Sequence, residues 1–194
     1  MVPKVKLYKD RPSVQALFVL GGKNDKSRRI DSINILDPAT GEWIDRPEIR
    51  MRKAKSGFAS VFVKFTHKKA QALMVIGGHD DHNVQNRVEF MNMNDLNWHK
   101  CASMIVKRDE LAAVVGPDQK VYAIGGYGGS TNLNCLKSVE RFDPVTNTWE
   151  EIASMNQGRR AHAAVATNTA IYAIGGYDGK DYMGSIEKYD IAQN

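Results

Sequence analysis

Cysteine is scarce in this sequence: Cys101 and Cys135 are the only two among 194 residues. Two thiols do not staple a small secreted scaffold, and no Asn-x-Ser/Thr acceptor occurs. A reduced, cytoplasmic setting is therefore expected. Long hydrophobic runs are missing as well. Stretches such as Ala16 to Leu20 and Ala72 to Ile76 fall far short of the roughly 20 residues a bilayer span requires. No apolar signal core follows Met1, so the expectation is a soluble, unexported protein with no membrane partner. Enzyme signatures are absent too: there is no GxSxG, P-loop, GxGxxG or HExxH. No catalytic residue and no cofactor is expected.

Charge of one sign dominates only locally. The net charge is +5, but residues 1 to 69 hold 16 Lys and Arg against 7 Asp and Glu, whereas the remainder is acidic. The insertion KFTHKK (Lys64 to Lys69), with Arg28, Arg29, Arg50, Arg52, Lys53 and Lys55, supplies most of the excess. Such a field tunes solubility and encounter, not fold. Nucleic-acid binding would need a basic stripe interleaved with stacking aromatics. Phe62 and Phe65 are instead read as core, so no nucleic-acid partner is expected.

What the sequence does contain is repetition. Four Gly-Gly pairs, at Gly21-Gly22, Gly77-Gly78, Gly125-Gly126 and Gly175-Gly176, each close an apolar run: ALFVLGG, ALMVIGG, VYAIGG and IYAIGG. Downstream come SINILDPATGEW, RVEFMNMNDLNW, SVERFDPVTNTW and SIEKYD. Trp43, Trp98 and Trp149 lie six residues past Asp37, Asn92 and Asp143, and Ile49, Met104 and Met155 lie six past each Trp. Agreement among three separate spacings marks a structural repeat of about 50 residues.

Each unit reads as four short strands. A small-residue run such as HAAVA (His162 to Ala166) forms the first and the run before Gly-Gly the second. The segment before the Asp forms the third, and the stretch around Trp the fourth. Gly-Gly permits the positive φ and close backbone approach of a tight exit. Asp37-Pro38 and Asp143-Pro144 are turn signals. A lone four-stranded meander cannot bury both faces, and radial packing of several does. The expected fold is therefore all-β, a partial β-propeller of about four antiparallel blades. A lead-in of residues 1–13 precedes blades at about 14–50, 51–105, 106–156 and 157–194, the first and last incomplete. Trp43, Trp98 and Trp149 are expected to fill the spaces between blades. KVKLY (residues 4–8) would be either the missing first strand of blade one or a strand lent elsewhere.

RRAHAAVATNTAIYAIGGYDGKDYMGSIEKYD (Arg159 to Asp190) and KSVERFDPVTNTWEEIASM (Lys137 to Met155) resemble the kelch repeat family. RPSVQALFVLGG (Arg11 to Gly22) is similar to the start of the kelch portion of BTB-BACK-kelch adaptors, although no BTB or BACK region is present in these residues. Kelch rings usually hold more blades, which implies a fragment, or a second copy or partner that completes the ring, with a compact four-blade closure as the remaining alternative. The resemblance implies a non-catalytic module that binds another protein or an acidic peptide. It extends to substrate recognition for a cullin-type ubiquitin ligase. The alternative is a structural or cytoskeletal component that docks through exposed blade faces.

In a meander the loop after strand two shares one end with the segment leading into strand one. In the resembled family that end binds partners, and the positions map onto Lys23, His79, Tyr127 and Tyr177 after Gly-Gly, and onto Ser56, Asp109 and Arg160 before strand one. Two tyrosines and a guanidinium fork suit peptide recognition. His79-Asp80-Asp81-His82 has metal-ligand chemistry, but it occupies the same loop as YGGS (Tyr127 to Ser130) and YDGK (Tyr177 to Lys180). No metal is expected there.

Overall fold

The computed structural model describes residues 17–65, 70–129 and 135–193. The lead-in 1–13, the KVKLY segment and residues 66–69 of the basic insertion lie outside the described residues. Among the described residues fourteen strands form four separate antiparallel sheets. The first joins β1 (Leu17–Leu20), β2 (Ser32–Leu36) and β3 (Trp43–Arg50). The second runs β4 (Ala59–Phe65), β5 (Ala70–Ile76), β6 (Val88–Asn92) and β7 (Trp98–Lys100). The third runs β8 (Ala112–Val115), β9 (Val121–Ile124), β10 (Val139–Asp143) and β11 (Thr148–Ile152). The fourth joins β12 (Ala163–Ala166), β13 (Ala170–Ile174) and β14 (Ile186–Asp190), and a 3-10 turn at Ile191–Gln193 follows. Strand order follows the sequence within every sheet, as in a meander. Among the described residues no helix is long and apolar enough to cross a membrane.

Period-two alternation explains why the sheets stack. On β5, Leu73 and Val75 join Ile33, Ile49 and Met51 in a cluster between sheets one and two, while Ala72, Met74 and Ile76 join Val121, Ala123 and Phe142 between sheets two and three. On β9, Tyr122 and Ile124 meet Ile171 and Ala173 between sheets three and four. A central strand buried on both faces therefore reads as one continuous apolar run. The first strands β4, β8 and β12 pack beside one another, which places them toward a common axis. The sheets are blades of a partial propeller. Outer flanks remain exposed at Leu17 and Val19 on blade one, and at Val165, Ile174 and Ile186 on blade four.

The tryptophans depart from the expected core. Trp98 and Trp149 are half-buried and pack on their junction clusters, and Trp149 Nε1 donates to the Ala102 carbonyl at 2.9 Å. Trp43 is 53% exposed. The indole of a fourth strand seats against the linker of the preceding blade, and no described residue precedes blade one.

Buried ions tie blades two, three and four to the linkers that precede them. Arg108 and Glu140 are fully buried, and Arg108 Nη2 lies 2.9 Å from Glu140 Oε1. Arg108 Nη1 also donates to the Gly125 and Ser138 carbonyls, and Glu140 accepts the Ile105 and Val106 amides. Arg159 and Glu187 repeat the arrangement at 2.8 Å, with donations to the Gly175 and Ser185 carbonyls and acceptance from Asn156 and Gln157. Lys55 and Glu89 hold the same positions in blade two at 4.0 Å, and burial pulls the Lys55 ammonium below its usual pKa. Lys55 thus belongs to the interior and not to a basic surface.

Nearer the axis, Gly57, Glu110 and Ala161 share left-handed φ values of +64°, +52° and +50°. The Glu110 amide donates to the Gly57 carbonyl at 2.7 Å, and the Ala161 amide donates to the Glu110 carbonyl at 2.9 Å. Blades three and four thus each donate one such hydrogen bond to the blade before. Glu110 and Ala161 hold this conformation against a steric cost of about 1–2 kcal/mol each.

His162 follows Ala161 and is buried where blades two and three carry Phe58 and Leu111. Neither ring nitrogen has a hydrogen-bond partner. Burial, helped by the Arg159 charge, lowers its pKa to about 4. The folded state therefore binds fewer protons than the unfolded chain between about pH 6.5 and 4, and stability must fall as the pH drops through that window. The expected loss is about 2–3 kcal/mol. His162→Leu should flatten that part of a pH series of urea melts, and an unchanged slope would remove His162 as its cause.

Candidate functional site

The end of the propeller that carries the Gly-Gly turns is built from backbone first. The second glycine of each pair has φ between +88° and +100°. Its amide reaches the next blade: Gly22 donates to the Lys55 carbonyl at 2.9 Å, Gly78 to Arg108 at 2.8 Å and Gly126 to Arg159 at 2.9 Å. The residue after the pair then meets the residue leading into strand one of its own blade. Ser56 and His79 exchange both N–H···O bonds, at 3.1 and 2.9 Å. Asp109 and Tyr127 do so at 2.9 and 2.6 Å, and Arg160 and Tyr177 at 3.0 and 2.9 Å. A second bridge closes each loop, from His79 to Val84, Tyr127 to Cys135 and Tyr177 to Tyr182. Lys23 bridges to Arg29 in blade one.

These pairings bring six of the seven expected positions together two by two, while Lys23 stands in its own loop. Side chains then link neighbouring blades. The Arg160 guanidinium carbon lies 5.6 Å from the Tyr127 ring centroid and 5.2 Å from that of Tyr177, within cation–π range of both. Its Nη1 donates to Glu110 Oε2 at 3.1 Å. Arg29, on blade one, donates through Nε to Ser56 Oγ at 3.1 Å and through Nη1 to Asp81 Oδ1 at 3.2 Å. The Asp109 carboxylate lies over the bare Cα of Gly57, and burial, with Glu110 beside it, pushes its pKa above the usual carboxylate range. Tyr182 is 92% exposed and its ring centroid sits 5.4 Å from that of Tyr177.

Arg29, Glu110, Cys135 and Tyr182 therefore join the rim although none was among its expected positions. Cys135 lies on the strand-like return of its loop, where its thiol donates to the Tyr177 carbonyl at 3.3 Å and burial raises its pKa. The two rim arginines are each matched by an acid, so the rim is not a uniformly positive surface. Side-chain exposure of 30% and 41% at Arg160 and Glu110 keeps that pair open to exchange.

The His79 to His82 stretch is engaged partly with its own loop and partly with blade one. Asp80 Oδ1 accepts the His82 and Asn83 amides at 3.0 and 2.9 Å, and Asp81 pairs with Arg29. The ring of His79 contacts the Asp80 carbonyl. Asp178 shapes the blade-four loop in the same way, by accepting the Lys180 and Asp181 amides. Among the described residues no group of three or more His, Cys, Asp or Glu is arranged to hold a metal ion.

Four small meanders joined flank to flank through buried strand faces, with bridged loops at one end, define a β-propeller repeat protein. Comparison with known proteins gives the family. The KLHDC2/KLHL20/DRC7 Kelch-repeats domain matches residues 11–176, and this chain belongs to the kelch-repeat family. It is similar to Kelch-like protein 35 of Mus musculus, with 31% identity over 78% of this chain and 24% of that protein. It is also similar to Kelch-like protein 38 of Homo sapiens, 25% identical over 77% of this chain and 24% of that protein. An F-box/kelch-repeat protein of Arabidopsis thaliana is 38% identical over 41% of this chain and 23% of its own length. The chain spans about a quarter of the length of these relatives. Kelch domains generally bind other proteins.

Proposed function

We propose that this chain is a non-catalytic interaction module of the cytoplasm that grips a partner protein or acidic peptide at the rim formed by Lys23, Ser56, His79, Asp109, Tyr127, Arg160 and Tyr177. The observation that carries the reading is Arg160 set against Tyr127 and Tyr177 with Glu110 as an exposed, exchangeable partner. A partner carboxylate replaces Glu110 on the guanidinium while the two rings supply rigid apolar area. Within this reading the module selects substrates for a cullin-type ubiquitin ligase, whose remaining contacts come from residues outside this sequence. The kelch-like and F-box/kelch names of the relatives support that assignment.

The combined variant Tyr127→Ala, Arg160→Ala, Tyr177→Ala should retain its melting temperature and lose at least tenfold in partner capture, read by pull-down with quantitative mass spectrometry. Exposed Leu17, Val19, Val165, Ile174 and Ile186 favour a second reading, in which the flanks dock permanently into a larger assembly or into another copy. Undiminished capture by the rim variant would support the flanks and overturn the rim.

A further inference from the structure

Among the described residues no cation reaches salt-bridge contact with Asp109, which sets it apart from its neighbours on the rim. Asp81 pairs with Arg29 and Glu110 with Arg160, while Asp80 and Asp178 accept the amides of their own loops. The Asp109 carboxylate accepts the amide of Glu110, the next residue in sequence, at 3.0 Å. It lies half-buried over Gly57, where blade three meets blade two, and burial with the Glu110 charge pushes its pKa up. The folded state is then the more protonated one, so ionised Asp109 lowers stability at neutral pH. A cation brought to this place would offset that cost.

Glu110 is held in the same neighbourhood by its backbone. Its amide donates to the Gly57 carbonyl at 2.7 Å and its carbonyl accepts the Ala161 amide at 2.9 Å. It keeps φ at +52° where blade two has a glycine, so only its side chain has room to move. When a partner carboxylate takes Arg160, the Glu110 carboxylate is left next to that of Asp109. An acid alone therefore exchanges one ion pair for another and leaves two adjacent carboxylates unpaired. An acid together with a base forms two pairs where there was one, and sets a cation against the two like charges.

We propose, resting on the rim reading above, that Asp109 and Glu110 make the rim selective for a segment that carries a Lys or Arg beside its acidic residue. The acid docks on Arg160 next to Tyr127 and Tyr177, and the base sits across Asp109 and Glu110. In an extended segment the two residues stand two positions apart on one face, about 6.6–6.8 Å from each other. Glu110 both competes with lone acids for Arg160 and forms half of the seat for the base.

A phage-displayed library of random dodecapeptides is the probe, selected on the 194-residue chain and counter-tested on the Tyr127/Arg160/Tyr177 variant. Peptides whose binding needs the rim should carry an Asp or Glu with a Lys or Arg two positions away. Replacing that base with Gln should weaken binding several-fold, and so should Asp109→Asn in the protein. Both changes together should cost less than the product of the two, because they remove one shared contact. Asn keeps the oxygen that accepts the Glu110 amide, so Asp109→Asn should hold or raise the melting temperature. Glu110→Gln should tighten the Gln-substituted peptide several-fold, since a neutral amide competes less well for Arg160. Rim-dependent peptides that bear acids without a base, or independent losses from the two changes, would overturn the selectivity and leave rim capture standing. Selected peptides that bind the Tyr127/Arg160/Tyr177 variant equally well would overturn rim capture itself, and the selectivity with it.

Discussion

Arg108→Ala is expected to destabilise the protein by about 3–5 kcal/mol, the loss found when one partner of a buried ion pair is removed. The guanidinium is fully buried and makes five donations, three through Nε and Nη2 to Glu140 and Ser138 and two through Nη1 to the Gly125 and Ser138 carbonyls. Its removal strands Glu140, which is also fully buried and keeps only the Ile105 and Val106 amides. The Gly125 carbonyl loses its donor at the point where blade three meets its turn. Urea melts should show a lower midpoint, and the melting temperature should fall by about 10 °C. Lys55→Met supplies the contrast. Lys55 sits 4.0 Å from Glu89, and burial already disfavours its charge. Replacing it with a flexible apolar chain of similar length keeps the packing but leaves the buried Glu89 without its cation, so a smaller loss of about 1–3 kcal/mol is expected. Equal losses in the two variants would show that burial of the side chain, and not the completed ion pair, carries the stability.

The blade pattern was legible in the sequence because both of its markers are backbone demands that repeat at a fixed spacing. Gly-Gly ends strand two in every blade, and the residue before Asp37, Asn92 or Asp143 pairs with the Trp that follows, as Leu36 with Trp43, Met91 with Trp98 and Phe142 with Trp149. The same spacing aligned Ser56, Asp109 and Arg160, and backbone bridges place them beside His79, Tyr127 and Tyr177. Partner contact at those residues remains a proposal. The residue just before each of them was not legible. Lys55, Arg108 and Arg159 carry charge, and sequence alone reads charge as surface. The chain alternates, however, and turns one side chain into the blade and the next out to the rim. The matched pairs Arg29–Asp81 and Arg160–Glu110 lie 52 and 50 residues apart and obey no local period. Trp43 failed as a core residue for the opposite reason. Its repeat position specifies a seat, but the neighbouring blade that would provide the seat is not among the described residues.

Gly125→Ala is expected to cost about 3 kcal/mol or more, which separates the two roles of a glycine in this fold. The first role is conformational. Gly125 has φ +57°, which costs an L-residue about 1–2 kcal/mol. The second is steric. A Cβ at Gly125 would stand 2.5 Å from the Arg159 carbonyl oxygen, 3.0 Å from His162 Cε1 and 3.1 Å from Met155 Cε. The nearest of these is backbone, and it is the oxygen that accepts the Gly126 amide across the blade junction. Relief therefore requires blade four to move away from blade three, with an overpacking cost of about 1–3 kcal/mol more. Gly77→Ala should behave alike, because its Cβ would meet the Arg108 carbonyl oxygen at 2.5 Å. Gly41, at φ +72° with no atom within 4 Å, isolates the conformational part, and Gly41→Ala should cost only about 1–2 kcal/mol. Chemical denaturation of the three variants reads the difference. If Gly41→Ala were as damaging as Gly125→Ala, close approach between blades would not be what the first glycine of each pair secures.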